Sequence, residues 1–457
     1  GLVIALALVA AAGYGVHTVR ESYPQTSGQI ELPGLRAPVT VVRDGLGVPD
    51  IYADSLADLF YAEGYVHAQD RFWEMDVRRH ITAGRLSEMF GESQVTTDTF
   101  LRTLGWRRIA EQEVPTLSAR SRQILDAYSA GVNAYLADHS GSALSLEYAV
   151  LGLQNPDYRP EPWQPADSVA WVKALAWDLR SNMDDEIYRA IMSDSAGVPQ
   201  TEKLFPPYPY ATHRPIVAGG TVVDGAFDQD AVAPAAGKGA SGAAGVRQAL
   251  LAVQRASGLL DDWLGPTGDG IGSNSWVVGG AKTTTGKPIL ANDPHLAPAM
   301  PSLWYQIGLH CNAVDADCDY DVSGWTMSGM PGVFIGHNAD IAWGFTNLGP
   351  DVTDLVLQKV DGDTYLVDGK AVPMTTRREV IEVAGGEPVT ITVRETADGP
   401  LISDVAGIDT YPAVGRDAPV PAPGSASSRA TTPDRAAGYA VALRWTALQP
   451  SRTFDAF

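Results

Sequence analysis

The sequence predicts an α+β protein with a largely helical first half and a second half of strands. Residues 54–90 place apolar side chains three and four positions apart, which is the spacing of one helix face. Residues 275–394 instead contain short apolar runs divided by Gly, Asn, Asp and Pro, the pattern of strands joined by turns. Hydrophobic residues make up 45% of the 457-residue chain and charged residues 19%, so a core of useful size can be buried.

The front of the chain predicts a hairpin followed by a long helix. Two apolar runs within residues 39–53 flank the turn-forming sequence D-G-L-G. The helix over 54–90 is expected to be capped by Asp54 or Ser55 and to end at Gly91. Further helices are predicted over 118–136, 166–192 and 247–260.

The back of the chain predicts strands and long loops. Strand-like runs occupy 275–279, 288–291, 303–310, 333–335, 355–360 and 389–394. Residues 231–246 are mostly Ala and Gly, and residues 265–272 are loaded with turn formers, so this region predicts an exposed connector that tolerates cutting. Residues 417–436, rich in Pro, Ala and Ser, predict a surface insertion.

Charge and cysteine content exclude several classes of protein. A net charge of −21 argues against a nucleic-acid partner, because phosphate binding needs a basic face. The simplest interpretation of the acidity is that it keeps the protein soluble. A more specific interpretation is that some of the carboxylates bind a hard cation. Two cysteines exclude a cysteine-rich scaffold and a four-thiolate zinc site. Cys311 and Cys318 flank a polar stretch, where a cross-hairpin disulfide and two free thiols are equally open alternatives.

The N-terminal residues predict export. Residues 2–12 form an Ala-, Leu- and Val-rich run that is too short by itself to span a membrane. Its composition suits the apolar core of a signal peptide or the end of a membrane anchor, and the alternative is a buried helix. Export is preferred because the polar residues 20–30 follow at once, so a periplasmic or extracellular location is expected, with membrane contact only through this segment.

Ser273 is the candidate nucleophile. A serine hydrolase needs a base beside its hydroxyl, and the sequence contains no G-x-S-x-G motif that would position a triad serine. A serine freed as an N-terminus supplies its own base, because an α-amine has a pKa of roughly 7.7–8.0. Ser273 follows Gly272 and a turn-rich loop and begins a strand-like run, as this chemistry requires. The same three features also occur in ordinary turns.

Several further motifs identify a resemblance. They are V-R-D at 42–44, G-V-P at 47–49, G-Y-V-H-A-Q-D-R-F-W at 64–73, A-G-R-L at 83–86, S-N-S-W-V-V-G-G at 273–280, A-N-D-P-H-L at 291–296, P-G at 331–332, G-H-N at 336–338 and I-A-W-G-F-T-N at 341–347. In this order they resemble the penicillin acylase (penicillin amidase) family of N-terminal-nucleophile hydrolases. The resemblance runs from about residue 32 to residue 457.

The resemblance implies a fold and a maturation pathway. It implies a four-layer αββα sandwich and a precursor that cuts itself into an α/β heterodimer. Residues 1–26 would be the signal peptide or anchor remnant, 27–218 the small subunit region, 219–272 the spacer, and 273–457 an incomplete large subunit. The chain is accordingly expected to be truncated at both ends, with a second oxyanion-hole residue beyond Phe457.

The resemblance also assigns site residues. Ser273 would attack an amide carbonyl after the bond from Gly272 is cut, and Asn347 would donate its backbone N–H to the oxyanion. His295 would orient the serine or its amine. Leu296 and Phe345 are the candidate lining of the acyl pocket, and both are apolar. Asp70 and Arg71, in the Q-D-R motif, are expected to form a packed ion pair without a catalytic role.

Calcium is the one cofactor that the resemblance implies. Its ligands would be Glu186, Asp351, Asp354 and the carbonyl of Thr353, and hard oxygen donors from distant segments suit this ion. The alternative is a solvated acidic loop. No organic cofactor is expected.

The function implied is hydrolysis of an amide that carries an apolar acyl group, such as a β-lactam antibiotic side chain or an N-acyl homoserine lactone. One alternative is an exported, non-catalytic relative that folds but does not cut itself. Another is a conventional triad or metal hydrolase that uses His295 or His337 with Asp293. No ligand spacing typical of a zinc site supports the metal version.

Overall fold

The computed structural model describes most of the chain. The described residues are 1–180, 182–206, 209, 212–213, 221–223, 226–229, 246–265, 272–296, 298–407 and 438–456. Three predicted features therefore lie outside or almost outside the described residues. They are the Ala- and Gly-rich run of the connector, the turn-rich loop before Ser273 and the insertion at 417–436.

The helices come first along the chain. Within the described residues they are α1 (Leu2–Glu21), α2 (Leu56–Ala83), α3 (Leu86–Phe90), α4 (Val95–Leu104), α5 (Trp106–Glu113), α6 (Ala119–Asp138), α7 (Leu146–Leu151), α8 (Pro165–Asp178), α9 (Met183–Ala196), α10 (Val198–Leu204), α11 (Val246–Gly258) and α12 (Asp261–Leu264).

The strands follow the helices, apart from the opening hairpin and one short pair. They are β1 (Thr40–Arg43), β2 (Pro49–Ala53), β3 (Thr221–Val223), β4 (Ala226–Asp228), β5 (Gly272–Val278), β6 (Ile289–His295), β7 (Trp304–Cys311), β8 (Asp321–Met327), β9 (Ile335–His337), β10 (Ala342–Trp343), β11 (Thr353–Asp361), β12 (Thr364–Val367), β13 (Lys370–Pro373), β14 (Thr375–Ile381), β15 (Val389–Thr396), β16 (Gly399–Pro400) and β17 (Gly438–Trp445). The predicted α+β class, its helical front and the opening hairpin are confirmed.

Within the described residues, the strands form five sheets. A six-stranded sheet has the order β1-β2-β7-β8-β9-β10 and joins the opening hairpin to the back half through a parallel β2–β7 pair. A second sheet has the order β13-β12-β11-β17, and a third has the order β14-β15-β16. Strands β5 and β6 form a separate antiparallel pair, as do β3 and β4. The front and back halves of the chain therefore share one sheet.

Two predicted helices are interrupted. The helix expected over 54–90 stops at Gly84, whose left-handed φ of 61° suits glycine, and its N-cap is Ser55. The Asp98 carboxylate accepts N–H groups at the start of α3, so a new short helix begins there and ends at Gly91. The helix expected over 166–192 is broken between α8 and α9. Asn182, the N-cap residue of α9, contacts the back half of the chain in this break.

The apolar N-terminal segment forms a helix, α1, that is longer than the run expected over residues 2–12. It continues to Glu21, and its 20 residues are long and apolar enough to cross a membrane by length and composition. None of its residues is buried, so the buried-helix alternative is wrong. A signal sequence and a membrane anchor both share these properties.

Helix α2 contacts α6 unusually closely. A Cβ atom on Gly131 would lie 1.8 Å from the Tyr61 carbonyl oxygen, and one on Gly64 would lie 2.1 Å from the Tyr128 carbonyl oxygen. Each glycine therefore lets the opposite helix backbone approach to a distance that any side chain would prevent.

Buried polar groups connect these two helices to the back half. The Glu63 carboxylate accepts the N–H of Gly332 at 2.9 Å. The Tyr128 hydroxyl oxygen accepts the N–H of Gly329 at 2.9 Å and lies 2.7 Å from His67 Nδ1. Burial raises the pKa of Glu63 well above its usual range and lowers the pKa of His67 to about 3, so both side chains favour their neutral forms.

The predicted Asp70–Arg71 ion pair is wrong. Asp70 instead accepts two hydrogen bonds from Arg43 of the opening hairpin, at 2.8 and 3.0 Å. Helix α2 has non-helical dihedrals at Arg71, whose guanidinium donates to the Ser302 carbonyl. The two neighbouring side chains therefore have different partners, Asp70 on the opening hairpin and Arg71 in the segment before β7.

The described part of the predicted connector is packed. The helix expected over 247–260 is confirmed as α11, and it belongs to the same core cluster as Trp177. Three apolar side chains of α11, and one in the turn that follows it, are no more than 6% exposed: Leu250, Val253, Ala256 and Leu260. The helical patch between the two predicted connector stretches is therefore packed against the core on one face.

The two cysteines are joined by a disulfide, Cys311–Cys318. Of the two alternatives that the sequence left open, the structure contains the cross-hairpin bond. It closes the connection between β7 and β8.

We expect Gly131→Ala to destabilise the protein by about 3 kcal/mol or more, because its methyl group would overlap the Tyr61 carbonyl and force α2 and α6 apart. Urea unfolding followed by circular dichroism measures this. Gly258→Ala is the matched control, since a Cβ atom there meets nothing closer than Asp261 Oδ2 at 3.9 Å. Equal stabilities of the two variants would contradict the close-contact interpretation.

Candidate active site

Ser273 lies in the antiparallel pair β5–β6. The register places Ser273 opposite Pro294 and Gly272 opposite His295. Opposed residues in an antiparallel pair point to the same side of the sheet, and successive residues alternate. Ser273 therefore shares one face with Pro294 and with Asn292, two positions further along β6. The Ser273 side chain is half-buried, so it is held by neighbours and still reached by solvent.

The backbone of Asn347 meets the serine. Its N–H donates to Ser273 Oγ at 3.2 Å. The Asn347 side chain donates to the Leu179 carbonyl at 2.7 Å, in the break that follows α8. A backbone donor is therefore aimed at the candidate nucleophile, and its position is tied to the helical half of the chain.

Asn292 was missed by the sequence analysis. Its Nδ2 donates to the carbonyls of Asn274 at 2.8 Å and Phe345 at 3.0 Å, and its Oδ1 accepts the N–H of Phe345 at 2.9 Å. Asn292 lies one residue beyond the strand predicted over 288–291, so its place in the A-N-D-P-H-L motif was the available signal.

His295 does not contact Ser273 through its ring. Its Nε2 lies 2.9 Å from Asp293 Oδ2, and the register places both side chains on the face opposite Ser273. The His295 backbone, in contrast, lies opposite Gly272, beside the peptide bond that precedes the serine. The histidine and aspartate pair as the triad alternative would require, but on the wrong face for Ser273.

The predicted pocket residues adjoin the elements that surround the serine, Leu296 at the end of β6 and Phe345 through its hydrogen bonds to Asn292. Leu296 is half-buried directly after β6, and Phe345 is 55% exposed beside Asn292. Two cavities, of about 250 and 410 Å³, lie elsewhere, around Arg85 and Arg71 respectively. Neither is lined by Ser273, Leu296 or Phe345.

Three carboxylates cluster between α9 and the start of β11. Ligand oxygens of Glu186, Asp351 and Asp354 all lie within 4.8 Å of one another. Asn182 Nδ2 donates to Glu186 Oε1 at 2.9 Å, to Asp351 Oδ1 at 2.6 Å and to the Thr353 carbonyl at 3.0 Å. All four predicted ligand residues are therefore brought together, around an asparagine that the sequence analysis did not single out.

Electrostatics at this cluster favour a positive partner. Burial, with the nearby charges of Asp351 and Asp354, raises the pKa of Glu186 to about 6. Hard oxygen atoms from two distant segments, converging on one point, are the donor set that Ca²⁺ and similar cations take. The residues present therefore fit a divalent cation.

The chain is similar to a family of known proteins. Residues 38–457 match the penicillin amidase family. The chain belongs to this family. It is 33% identical over 392 residues to "Penicillin acylase 2 proenzyme" of Pseudomonas sp. (strain SE83), a match that covers 84% of this chain and 46% of that one. The resemblance identified from the motifs is thereby confirmed.

Two other relatives carry different names. "Acyl-homoserine lactone acylase QuiP" of Pseudomonas aeruginosa is 32% identical, over 85% of this chain and 42% of that protein. "Penicillin G acylase" of Escherichia coli is 29% identical, over 80% and 45% of the two chains. A solved thermostable penicillin G acylase from Alcaligenes faecalis matches 37% of this chain and 89% of its own at 29% identity, with a TM-score of 0.31. The chain spans less than half the length of the Pseudomonas and Escherichia coli relatives.

Proposed function

We propose that this family member is a self-cutting acylase that hydrolyses amides carrying an apolar acyl group. The observation that carries the proposal is the hydrogen bond of 3.2 Å from the Asn347 N–H to Ser273 Oγ. This serine directly follows Gly272. The penicillin acylase and acyl-homoserine lactone acylase names of its relatives support amide hydrolysis.

Maturation frees the base. Cleavage of the Gly272–Ser273 peptide bond by water leaves a carboxylate on Gly272 and an α-amine on Ser273. The new amine then lies beside the backbone of His295, which is paired with Gly272. We assign the His295 backbone to holding the new terminus, while the histidine ring pairs with Asp293 on the opposite face. The products would be a small subunit from 27–218, a spacer from 219–272 and a large subunit beginning at Ser273, within a four-layer αββα sandwich.

Turnover uses the same serine. The amine takes the Ser273 Oγ proton as Oγ attacks the substrate carbonyl carbon, and the oxyanion accepts the N–H of Asn347. The proton passes to the departing amine, which leaves an acyl ester on Ser273. Water, deprotonated by the α-amine, attacks that ester, and the carboxylic acid departs. An oxyanion donor of this kind contributes roughly a hundred- to thousandfold in rate.

The acyl group is proposed to be apolar because Leu296 and Phe345 lie next to the reacting residues. A β-lactam side chain and the fatty acyl chain of a homoserine lactone both satisfy this chemistry. Export through α1 would place the enzyme in the periplasm or outside the cell. Calcium at Glu186, Asp351, Thr353 and Asp354 would tie the small-subunit region to the large-subunit region after cleavage.

Intact mass and N-terminal sequencing of the exported product of the complete gene test maturation. We expect a large fragment that starts Ser-Asn-Ser-Trp, and no cut in Ser273→Ala, with activity lower by about 10⁶-fold. Ser275→Ala, two positions along the same strand, is the control and should be cut as the wild type is. A folded, uncut wild-type chain would instead support the non-catalytic alternative.

A series of p-nitroanilides tests the acyl preference. We expect kcat/KM to rise from acetyl to octanoyl and phenylacetyl, because each buried CH₂ contributes about 0.8 kcal/mol. Phe345→Ala should reduce the octanoyl-to-acetyl preference by about tenfold or more, since losing apolar contact is worth roughly 1–3 kcal/mol. Leu153→Ala, 84% exposed on the helical region, should leave it unchanged. If Phe345→Ala keeps the octanoyl-to-acetyl preference of the wild type, Phe345 does not line the acyl pocket.

Thermal melting with calcium or with EDTA tests the cation. Calcium at 100 times its Kd should stabilise the wild type by about 2.7 kcal/mol. Glu186→Gln should lose most of this gain, because it removes a carboxylate from the cluster. Asp185→Asn alters an exposed acidic residue on the same helix and should retain the gain. If Glu186→Gln responds to calcium like the wild type, the ion binds elsewhere.

A further inference from the structure

We infer that Asn292 is the positioning residue that aligns the oxyanion donor with the nucleophile. The inference rests on the proposed function of Ser273 and Asn347, and it adds a third residue that touches neither the substrate nor the reacting atoms.

Asn292 joins two segments that must be aligned for the reaction. Its Nδ2 donates to the carbonyl of Asn274, the residue next to the nucleophile, at 2.8 Å. The same amide holds Phe345 on both sides, donating to its carbonyl at 3.0 Å and accepting its N–H at 2.9 Å. Phe345 is two positions before Asn347, so one side chain links the nucleophile strand to the donor segment.

Sheet geometry places Asn292 where this link is useful. Asn292 lies opposite Ser275 in the β5–β6 register, so it shares a face with Ser273. The donor segment, from Gly344 to Asn347, lies over that face, because it contacts Asn292 at one end and Ser273 Oγ at the other. A rigid amide between the two chains therefore limits how far the donor can shift relative to Oγ.

Gly344 supports the same conclusion. A Cβ atom at Gly344 would lie 2.7 Å from Asn292 Oδ1 and 2.8 Å from its Cβ and Cγ. The donor segment therefore lies directly against the asparagine side chain. Only a residue without a side chain allows this approach.

The amide is chemically specific for the task. Two carbonyls need donors and one N–H needs an acceptor, which a primary amide supplies from one end of a short side chain. An ionised carboxylate of the same shape accepts the N–H but donates to neither carbonyl. A protonated carboxyl regains one donor. A carboxyl at this position therefore fills the same space as the amide but changes the hydrogen bonds with pH, which distinguishes a positioning role from a packing role.

The test compares Asn292→Ala and Asn292→Asp with Asn312→Ala, a control directly after β7 whose side chain donates to Asp54 directly after β2. Each is expressed from the complete gene, and Tm, the cut fraction by intact mass, and kcat and KM on octanoyl p-nitroanilide are measured. We expect kcat of Asn292→Ala to fall about 100-fold, with KM changed less than threefold, because misplacement by about 1 Å costs on this scale. A folded Asn292→Ala that is not cut supports the inference equally.

The pH dependence of Asn292→Asp is a measurement that a purely packing role of Asn292 would leave unchanged. The kcat of this variant relative to wild type should rise as pH falls through the pKa of the new carboxyl, because the protonated form can donate again. If Asn292→Ala is insoluble, this ratio alone decides: a ratio independent of pH overturns the inference. Wild-type cutting and kcat in folded Asn292→Ala would overturn it as well. A wild-type protein that is neither cut nor active would overturn the proposed function instead.

Discussion

The close contact between α2 and α6 sets the position of the strands that lead to the candidate site. Gly64 and Gly131 allow the helix backbones to touch, and this contact brings Tyr128 beside the polar residues of α2. From there, Glu63 and Tyr128 bind backbone N–H groups in the turn between β8 and β9. The chain then runs through β9 and β10 directly into the donor segment. Helix packing on one side of the molecule therefore fixes a backbone amide on the other.

The buried groups in this connection make it specific. An N–H buried without an acceptor costs about 1–3 kcal/mol, so the turn is most stable where Glu63 and Tyr128 can accept from it. Burial also disfavours the charged forms of Glu63 and His67, whose Oε1 and Nε2 atoms lie 4.0 Å apart. The second connection is made by the break between α8 and α9. There the Leu179 carbonyl accepts from Asn347, and Asn182 gathers the acidic cluster.

Local patterns were enough to predict the class, the hairpin, most strands and the approximate place of the helices. They also placed Ser273 at the start of a strand, and the motifs brought Glu186, Asp351 and Asp354 forward as one group. They did not predict the breaks at Gly84 and Leu179, because apolar spacing continues across both.

Contacts between distant residues were also beyond the sequence pattern. The pairing of Asp70 with Arg43 depends on how a hairpin folds onto a helix, and Asn292 binds a backbone 53 positions away. Likewise, His295 follows the serine at a suggestive spacing, yet the strand register turns its ring to the opposite face. Spacing predicts which residues are near one another, whereas register decides which side chains meet.

If the chain is cut as proposed, the packing of helix α11 bears on how long the excised segment stays bound. In an uncut chain the helix is tethered, so its contacts with the core form at an effective concentration in the millimolar range. Cuts on both sides would convert the same contacts into an association between separate molecules. Fully buried side chains such as Leu250 and Val253 contribute roughly 1.5–3 kcal/mol each, so the freed helix would leave slowly. The rate at which the helix leaves would then be set by its dissociation from the core, not by the rate of peptide-bond cleavage.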